Sequence, residues 1–316
     1  MKNKKIMIIG GTGALGKTLV SRYYGHSDIL IFSRDEHKHV NLQKKYPELS
    51  FQIGNVKEKG TIEKALAEFQ PDIVINTAAL KHVPICESNT FESVKTNIIG
   101  NNNVIDAVRM SNHKVKTLIF ISTDKACKPI NIYGMCKAIS ERLYIDFANK
   151  QKEIKVCLVR YGNVLESTGS VIPYFKSLLS SGVSSLPITD KRMTRFLLSL
   201  NRAIDLIDWS YSYSESHGKI AVPKIKSFRI TEIAKALIKA FNSLKSQKLE
   251  YVGIRPGEKL HEEMISEEEW RRTEEFDENY LIGDNLINDE SKSYNSYDSL
   301  MEDAETYDFL KNKGVI

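Results

Sequence analysis

Two side chains that can share one reaction, Tyr133 and Lys137, stand four residues apart. On a helix that spacing puts both on one face, so the ammonium would sit beside the phenol. A neighbouring positive charge favours the phenolate and lowers the phenol's pKa, which would let Tyr133 take a proton from an alcohol. Shortly upstream runs Ile121-Ser122-Thr123-Asp124-Lys125, a segment that gathers two hydroxyls, a carboxylate and an amine. A Tyr-x-x-x-Lys spacing arises often by chance. Its place in the chain singles this one out, because a glycine loop lies near the N-terminus and a Ser-Thr strand end precedes the tyrosine by a short turn. Thr123, Asp124, Lys125, Tyr133 and Lys137 form the candidate catalytic set.

The elements that must position this set follow from hydrophobic runs. Lys5–Ile9, Ile29–Phe32, Phe51–Ile53, Ile73–Asn76, Thr117–Ser122 and Val156–Tyr161 are rich in Ile, Val and Phe with little polar alternation. That pattern predicts strands covered on both faces. Helix-length stretches separate them, at Ala14–Tyr24, Asp35–Lys45, Thr61–Phe69, Asn89–Met110 and Ile132–Ala148. Repeated β-α units predict a parallel, doubly wound Rossmann-type α/β sheet, whose ligands lie at the carboxyl ends of the strands. After Tyr161 the rhythm breaks, and a helix is expected at Ala203–Tyr213. The expected division is a cofactor-binding domain with the catalytic residues at 1–162, a smaller substrate lobe interleaved with it at 163–266, and a C-terminal extension at 267–316. Residues 267–308 are acidic and rich in Tyr and Asn, and read as loosely packed.

The first strand runs into Gly10-Gly11-Thr12-Gly13-Ala14-Leu15-Gly16 and then a helix. Glycines at 10, 13 and 16 permit a tight turn and let the backbone approach a pyrophosphate, whose charge then rests on a helix N-terminus. The end of the second strand selects the nucleotide. Ser33 and Arg34 stand there, a hydroxyl and a guanidinium suited to a 2′-phosphate, so NADP is expected rather than NAD. Asp35, one residue on, suits an N-cap equally well. Asn55 and Val56 would flank the adenine, and Ala78 and Ala79 would lie under the cofactor. Ser122, Lys81, Tyr133 and Lys137 complete the expected cofactor contacts.

Of the 316 residues, 41% are hydrophobic and 27% charged, and the net charge is +5. This is the composition of a soluble globular protein, with no basic arm for nucleic acid. The opening apolar run is too short for a signal peptide and nothing approaches a membrane span, so a cytoplasmic protein is expected. Cys86, Cys127, Cys136 and Cys157 lack CxxC spacing and read as free thiols. His261-Glu262 fails as a zinc motif, because Ile265 occupies the second histidine position, and no metal is expected.

The glycine loop, Ser122-Thr123 and Tyr133-Gly134-Met135-Cys136-Lys137 together resemble the extended short-chain dehydrogenase/reductases. Within that superfamily, several stretches are similar to the inverting UDP-N-acetylglucosamine 4,6-dehydratases of bacterial surface-sugar pathways. They include Ala79-Leu80-Lys81-His82-Val83-Pro84, Arg160-Tyr161-Gly162-Asn163-Val164, Met193-Thr194-Arg195-Phe196 and Gly253-Ile254-Arg255-Pro256-Gly257-Glu258-Lys259. Retaining dehydratases carry Thr-Asp-Glu where the inverting family carries Thr-Asp-Lys, and this chain has Thr123-Asp124-Lys125. The resemblance spans about residues 5–265.

That resemblance implies oxidation of the sugar at C4 with Tyr133 as base, removal of the C5 proton by Lys125, and loss of the C6 hydroxyl assisted by protonated Asp124. Reduction at C6 and inversion at C5 would give a UDP-2-acetamido-2,6-dideoxy-4-keto-L-hexose, with NADP retained and recycled in each turnover. Lys125 would have to be neutral, and Lys137 and the nicotinamide charge are expected to push its pKa down. Arg195 and Arg255 are candidate diphosphate clamps. The resemblance adds Asn163 and the Gly169-Ser170-Val171 loop around the nucleotide, Glu258 near the ribose and Lys81 near the sugar. By analogy with the family, a homo-oligomer (dimer or higher) is expected. A UDP-sugar C4-epimerase or a retaining dehydratase would keep Tyr133 and Lys137, but Asp124-Lys125 argues against both. A non-catalytic NADP-binding sensor would not need the Tyr-Lys pair.

Overall fold

The computed structural model describes residues 1–165, 167, 169–241, 247–287 and 289–316. Six strands form the first half of the fold: β1 Lys5–Ile9, β2 Asp28–Ser33, β3 Ser50–Ile53, β4 Ile73–Asn76, β5 Thr117–Ile121 and β6 Lys155–Val159. All pair in parallel, in the order β3-β2-β1-β4-β5-β6. This is the doubly wound arrangement expected, with its crevice where the order reverses between β1 and β4. Alternate residues of one strand enter opposite cores: Met7 and Ile9 pack on one face with Phe32 and Phe120, while Ile6 and Ile8 pack on the other with Leu19 and Ile31. Burial on both faces explains the unbroken apolar runs.

The sheet does not end at β6. Ile220–Pro223 adds a parallel strand beside it, and Asn279–Ile282 and Thr273–Glu275 extend the edge antiparallel, giving nine strands among the described residues. The acidic stretch after residue 267, expected to be loosely packed, is instead part of the main sheet. Its apolar residues are few but well placed, with Leu281 and Ile282 both buried.

The remaining elements form a smaller layer over the carboxyl ends of the strands. Thr194–Leu198 pairs with Asn163–Val164 and Ser227–Arg229, and Ser185–Ile188 pairs in parallel with Lys248–Tyr251. They share a separate core containing Ile172, Phe175, Leu186, Phe228 and Leu237. No helix among the described residues is long and apolar enough to cross a membrane.

One expected helix differs. The stretch read as continuous over Asn89–Met110 is broken into Thr90–Val94, a π-helical turn at Lys95–Ile99 and Gly100–Met110. The wider turn frees the Asn97 backbone carbonyl, which accepts from Ser140 Oγ at 2.6 Å. The Asn97 side chain meanwhile accepts from Leu80 N and donates to Leu80 O, both at 2.8 Å. A π-turn of this kind commonly marks a functional position. Here it fixes the loop that follows β4 at the crevice.

Candidate active site

Gly10 has φ +78°, and a Cβ there would lie 2.8 Å from Ala78 N. The β1 turn and the β4 turn therefore touch backbone to backbone, as the glycine pattern requires. A Cβ on Gly16 would lie 2.3 Å from Gly11 O, so the helix α1, Ala14–Tyr23, packs tightly under its own loop. Gly13 is the N-cap of α1 and supplies no capping side chain. Neither Ala14 nor Leu15 is buried, so the open end of the helix faces the crevice. Uncapped N–H groups at a helix N-terminus are a ready anion site, and a dinucleotide pyrophosphate fits them.

The residues after β2 divide their tasks. Thr12 donates to Ser33 Oγ at 3.2 Å, and Ser33 is also bonded to His39 Nε2 at 2.6 Å. Arg34 is exposed and makes no hydrogen bond or close ion pair among the described residues. The Asp35 carboxylate caps helix Glu36–Lys45, accepting from Lys38 N at 3.0 Å. Asn55 closes a turn by accepting from Lys57 N at 3.1 Å, and buried Val56 has its carbonyl bonded by Asn103 at 2.9 Å. Ala78 and Ala79 line the crevice beside Gly10, neither of them buried. Lys81 is exposed as a residue, yet desolvation of its ammonium lowers its pKa.

The five candidate catalytic residues converge where β5 ends and helix Ile132–Lys150 begins. Asn131 caps that helix by accepting from Gly134 N at 2.8 Å. A Cβ on Gly134 would lie 2.2 Å from Lys125 O, which explains why the residue after Tyr133 is glycine. Thr123 donates to Asp124 Oδ1 at 3.0 Å and lies close enough to the Tyr133 phenol to lower its pKa. Asp124 is 0% exposed, and its Oδ2 has no hydrogen-bond partner. Burial raises its pKa, against the opposing pull of Lys125. A buried carboxyl of that kind takes up a proton more readily than an exposed one.

Lys125 is 17% exposed, and its ammonium faces three oxygens, two by hydrogen bonds and the third in an ion pair. They are Asp124 Oδ1 at 3.0 Å, Asn163 Oδ1 at 3.2 Å and Glu262 Oε1 at 3.3 Å. Burial works against its charge, but the carboxylates of Asp124 and Glu262 outweigh burial and raise its pKa. The expected lowering of the Lys125 pKa is opposed by these two carboxylates. Glu262 is one of them, a site residue that sequence reasoning passed over.

Lys137 also departs from expectation. Its ammonium donates to Ile121 O at 2.7 Å and lies 4.5 Å from the Phe120 ring centroid. Burial pushes its pKa down to about 8, against the field of Glu141. The Tyr133 phenol is pushed up to about 12 by burial, and the groups that counter this are Lys125 and Thr123. Lys125, not Lys137, is therefore the cation that favours the phenolate here. Tyr161 is buried and lies close enough to Tyr133 for a charge on that phenol to raise its own pKa.

Beneath the site runs a buried ion cluster. Arg160, 1% exposed, donates to Glu141 through Nε at 3.0 Å and Nη2 at 2.7 Å, and to Glu269 through both terminal nitrogens at 2.8 Å. Ser122, expected at the cofactor, instead turns its hydroxyl onto Glu141 Oε1 at 2.6 Å.

The substrate candidates fall into two groups. Asn163 is in the cluster through Lys125. Gly169 has φ +76°, and a Cβ there would lie 1.9 Å from His82 Cε1, so the Gly169–Val171 turn crosses directly over the Lys81-His82 loop. Ser170 Oγ is buried without a partner at the start of helix Val171–Ser180. Arg195 is enclosed: its guanidinium donates to Thr194 O at 2.7 Å and Lys259 O at 2.9 Å, with Nε 3.7 Å from Glu262. Those bonds occupy the guanidinium that was expected to clamp a diphosphate. Arg255 is exposed and pairs with Glu258, Nε to Oε1 at 3.0 Å.

A Rossmann sheet, a glycine-rich turn at its first strand and a Thr-Asp-Lys/Tyr cluster at its fifth define a protein of the extended short-chain dehydrogenase/reductase class. Residues 6–284 match the family described as "Polysaccharide biosynthesis protein", and the chain belongs to it. It is 43% identical over 295 residues to a UDP-N-acetylglucosamine 4,6-dehydratase (inverting) of Campylobacter jejuni, covering 90% of this chain and 85% of that one. It is 39% identical over 290 residues to a protein named UDP-glucose 4-epimerase of Rickettsia bellii, covering 89% and 83%. The solved structure of Pen from Bacillus thuringiensis superposes with TM-score 0.91 at 29% identity, covering 100% of this chain and 99% of that one.

Proposed function

We propose that this protein is an inverting UDP-N-acetylglucosamine 4,6-dehydratase that works with retained NADP. The observation that carries the reading is the joined cluster Tyr133–Thr123–Asp124–Lys125, in which one buried carboxyl and one amine lie beside the alcohol base. Residues 1–162 would hold the cofactor, 163–266 would cover the sugar nucleotide, and 267–316 would brace the sheet beneath.

The nicotinamide, when bound, supplies hydride chemistry, taking a hydride from C4 and returning it to C6. Gly10, Gly13 and the first turn of α1 would hold its pyrophosphate. Arg34, exposed and without a hydrogen bond or close ion pair among the described residues, is a cation suited to a 2′-phosphate, and the capping role of Asp35 removes the acid that would repel it, which supports NADP over NAD.

Tyr133 accepts the C4 hydroxyl proton. The ketone so formed acidifies C5–H, and Lys125 takes that proton while Asp124 donates its own to the departing C6 hydroxyl, releasing water. At rest the proton balance of the pair is the reverse of what is needed, with Lys125 charged. Transfer of one proton from Lys125 to Asp124, across their 3.0 Å contact, supplies the neutral base and the protonated acid together. A proton delivered to the opposite face of C5 then inverts that centre. For the diphosphate, Lys81 and Arg255 are the cations at hand, with the Gly169–Val171 turn and Glu258 beside the nucleoside. Arg195 braces Glu262 from below.

The test is proton NMR of the purified protein with UDP-N-acetylglucosamine in deuterated water. A new C6 methyl signal with deuterium at C5 and L-type ring couplings is expected. The epimerase name carried by the Rickettsia relative makes a C4-epimerase the second reading. A C4 epimer with no methyl would establish it instead, and no reaction with any UDP-sugar would leave an NADP-binding protein.

A further inference from the structure

The Lys125 amine has a partner in the covering layer that no motif announces. Glu262 is 3% exposed, its Oε1 lies 3.3 Å from Lys125 Nζ and 3.7 Å from Arg195 Nε, and its Oε2 is buried without a hydrogen-bond partner. Its backbone is pinned on both sides by Ser296: Glu262 N donates to Ser296 Oγ at 2.8 Å, and Ser296 N donates to Glu262 O at 2.8 Å. A carboxylate this enclosed is strongly destabilising unless it neutralises a charge that the site needs.

The surroundings of the amine show what it does for Lys125. The ammonium donates to Asp124 and Asn163 and forms an ion pair with Glu262. Once the amine has given one proton to Asp124, Asn163 and Glu262 still face it and hold it in place.

We propose that Glu262 is a positioning residue for C5 deprotonation, holding Lys125 while Asp124 is the protonated acid and stabilising the ammonium that forms when Lys125 takes the C5 proton. In that step the C5–H bond breaks, its proton bonds to Nζ, and the electron pair passes into the enolate of the 4-keto sugar. With Asp124 neutral, Glu262 is the one carboxylate left beside the new charge. The charged and titratable groups facing Lys125 are Asp124 on its own segment, Glu262 and Arg195 from the covering layer, and Tyr133 from the adjoining helix. Lys259 acts on Glu262 from the side.

This inference rests on the dehydratase reading, and the test separates the two. Wild type and Glu262→Gln, each as cofactor-loaded enzyme, are given UDP-N-acetylglucosamine in deuterated buffer from about pH 6 to about pH 10. Single-turnover nicotinamide absorbance reads C4 oxidation, and NMR reads deuterium entry at C5. Gln keeps an acceptor for the amine but removes the charge. Deleting an opposite charge at this distance moves a pKa by about one unit or more, here downward. The rising limb of C5 exchange should therefore lie about one unit lower, with a lower plateau because the base is weaker. The two profiles then cross, a pattern that simple structural damage does not produce. C4 oxidation should change less than C5 exchange does, as Glu262 reaches Tyr133 only through Lys125. Superimposable pH profiles overturn the proposal while leaving the dehydratase standing, whereas wild type that forms no methyl product removes both. If Glu262→Gln does not fold, Glu262→Asp serves: it keeps the charge but draws it back, so a slower exchange at an unshifted midpoint is expected and an unchanged rate refutes the role.

Discussion

Replacing Arg160 with Met should cost the protein far more than a surface arginine would. The guanidinium is 1% exposed and bonds two carboxylates, Glu141 and Glu269, as well as Met264 O at 2.7 Å. Met fills similar volume but leaves both carboxylates buried without a counter-charge, and breaking a buried pair in this way costs about 3–5 kcal/mol. For 316 residues the unfolding entropy is about 0.7 kcal/mol per degree, so the melting temperature should fall by about 5–8 °C at neutral pH. The pH dependence carries a sign. Burial alone would raise the Glu269 pKa, but Arg160 outweighs it and holds the carboxyl down at about 2, below its ordinary 4.5. That stabilisation is complete above pH 4.5 and is lost as pH falls towards 2. The deficit of Arg160→Met should accordingly be widest near neutrality and narrow on acidification. Calorimetry at a series of pH values measures it. A variant melting within about 2 °C of wild type at neutral pH would refute the account. So would a deficit that grows in acid. Replacing Glu141 and Glu269 with Gln in the same chain should recover much of the loss, because the orphaned charges go with the arginine.

Other consequences can be read from the site. Tyr133→Phe should lower turnover by about 10²–10⁴-fold and abolish the transient nicotinamide absorbance, since the C4 proton loses its acceptor; an intact transient would remove Tyr133 from that role. Lys125→Met should still give the transient, formed more slowly because Tyr133 loses the cation that favours its phenolate, and should slow deuterium entry at C5 by at least about 10²-fold; persistent exchange would place the C5 base elsewhere. Arg34→Ala should cost about 10-fold or more in NADP affinity with little change for NAD, measured by calorimetric titration; an unchanged ratio would show that Arg34 does not read the 2′-phosphate.

The half of the fold legible in the sequence is the half built from long apolar runs. Strands such as Lys5–Ile9 are buried on both faces, so hydrophobicity alone marks them. The glycine turn is legible because only glycine tolerates the approach of Gly10 to Ala78. Other features lacked such a signal. The strand Asn279–Ile282 is only four residues long and lies within an acidic stretch, so it reads as loop although all but Tyr280 are buried. The π-turn at Lys95–Ile99 has ordinary helical composition, and only the contact of Asn97 with Leu80 reveals it. Glu262 and Glu269 resemble surface acids in a one-dimensional pattern. Their burial depends on cations more than a hundred residues away, Lys125 and Arg160, and no local periodicity encodes such a pairing.

Those distant pairings also bear on which reaction the site is built for. A C4-epimerase removes and returns one hydride at one carbon, and an alcohol base with a cofactor meets that need. Here Asp124 and Glu262 each hold a buried carboxylate oxygen with no partner, on either side of an amine that is itself largely enclosed. Buried ionisable groups of this kind destabilise a fold, and substituting well-packed apolar side chains often stabilises it. A site of two carboxyls and an amine beyond Tyr133 makes chemical sense when a second proton must be removed and a hydroxyl must be protonated to depart. Elimination across C5 and C6 requires both operations and epimerisation at C4 requires neither, so the buried charges favour the dehydratase.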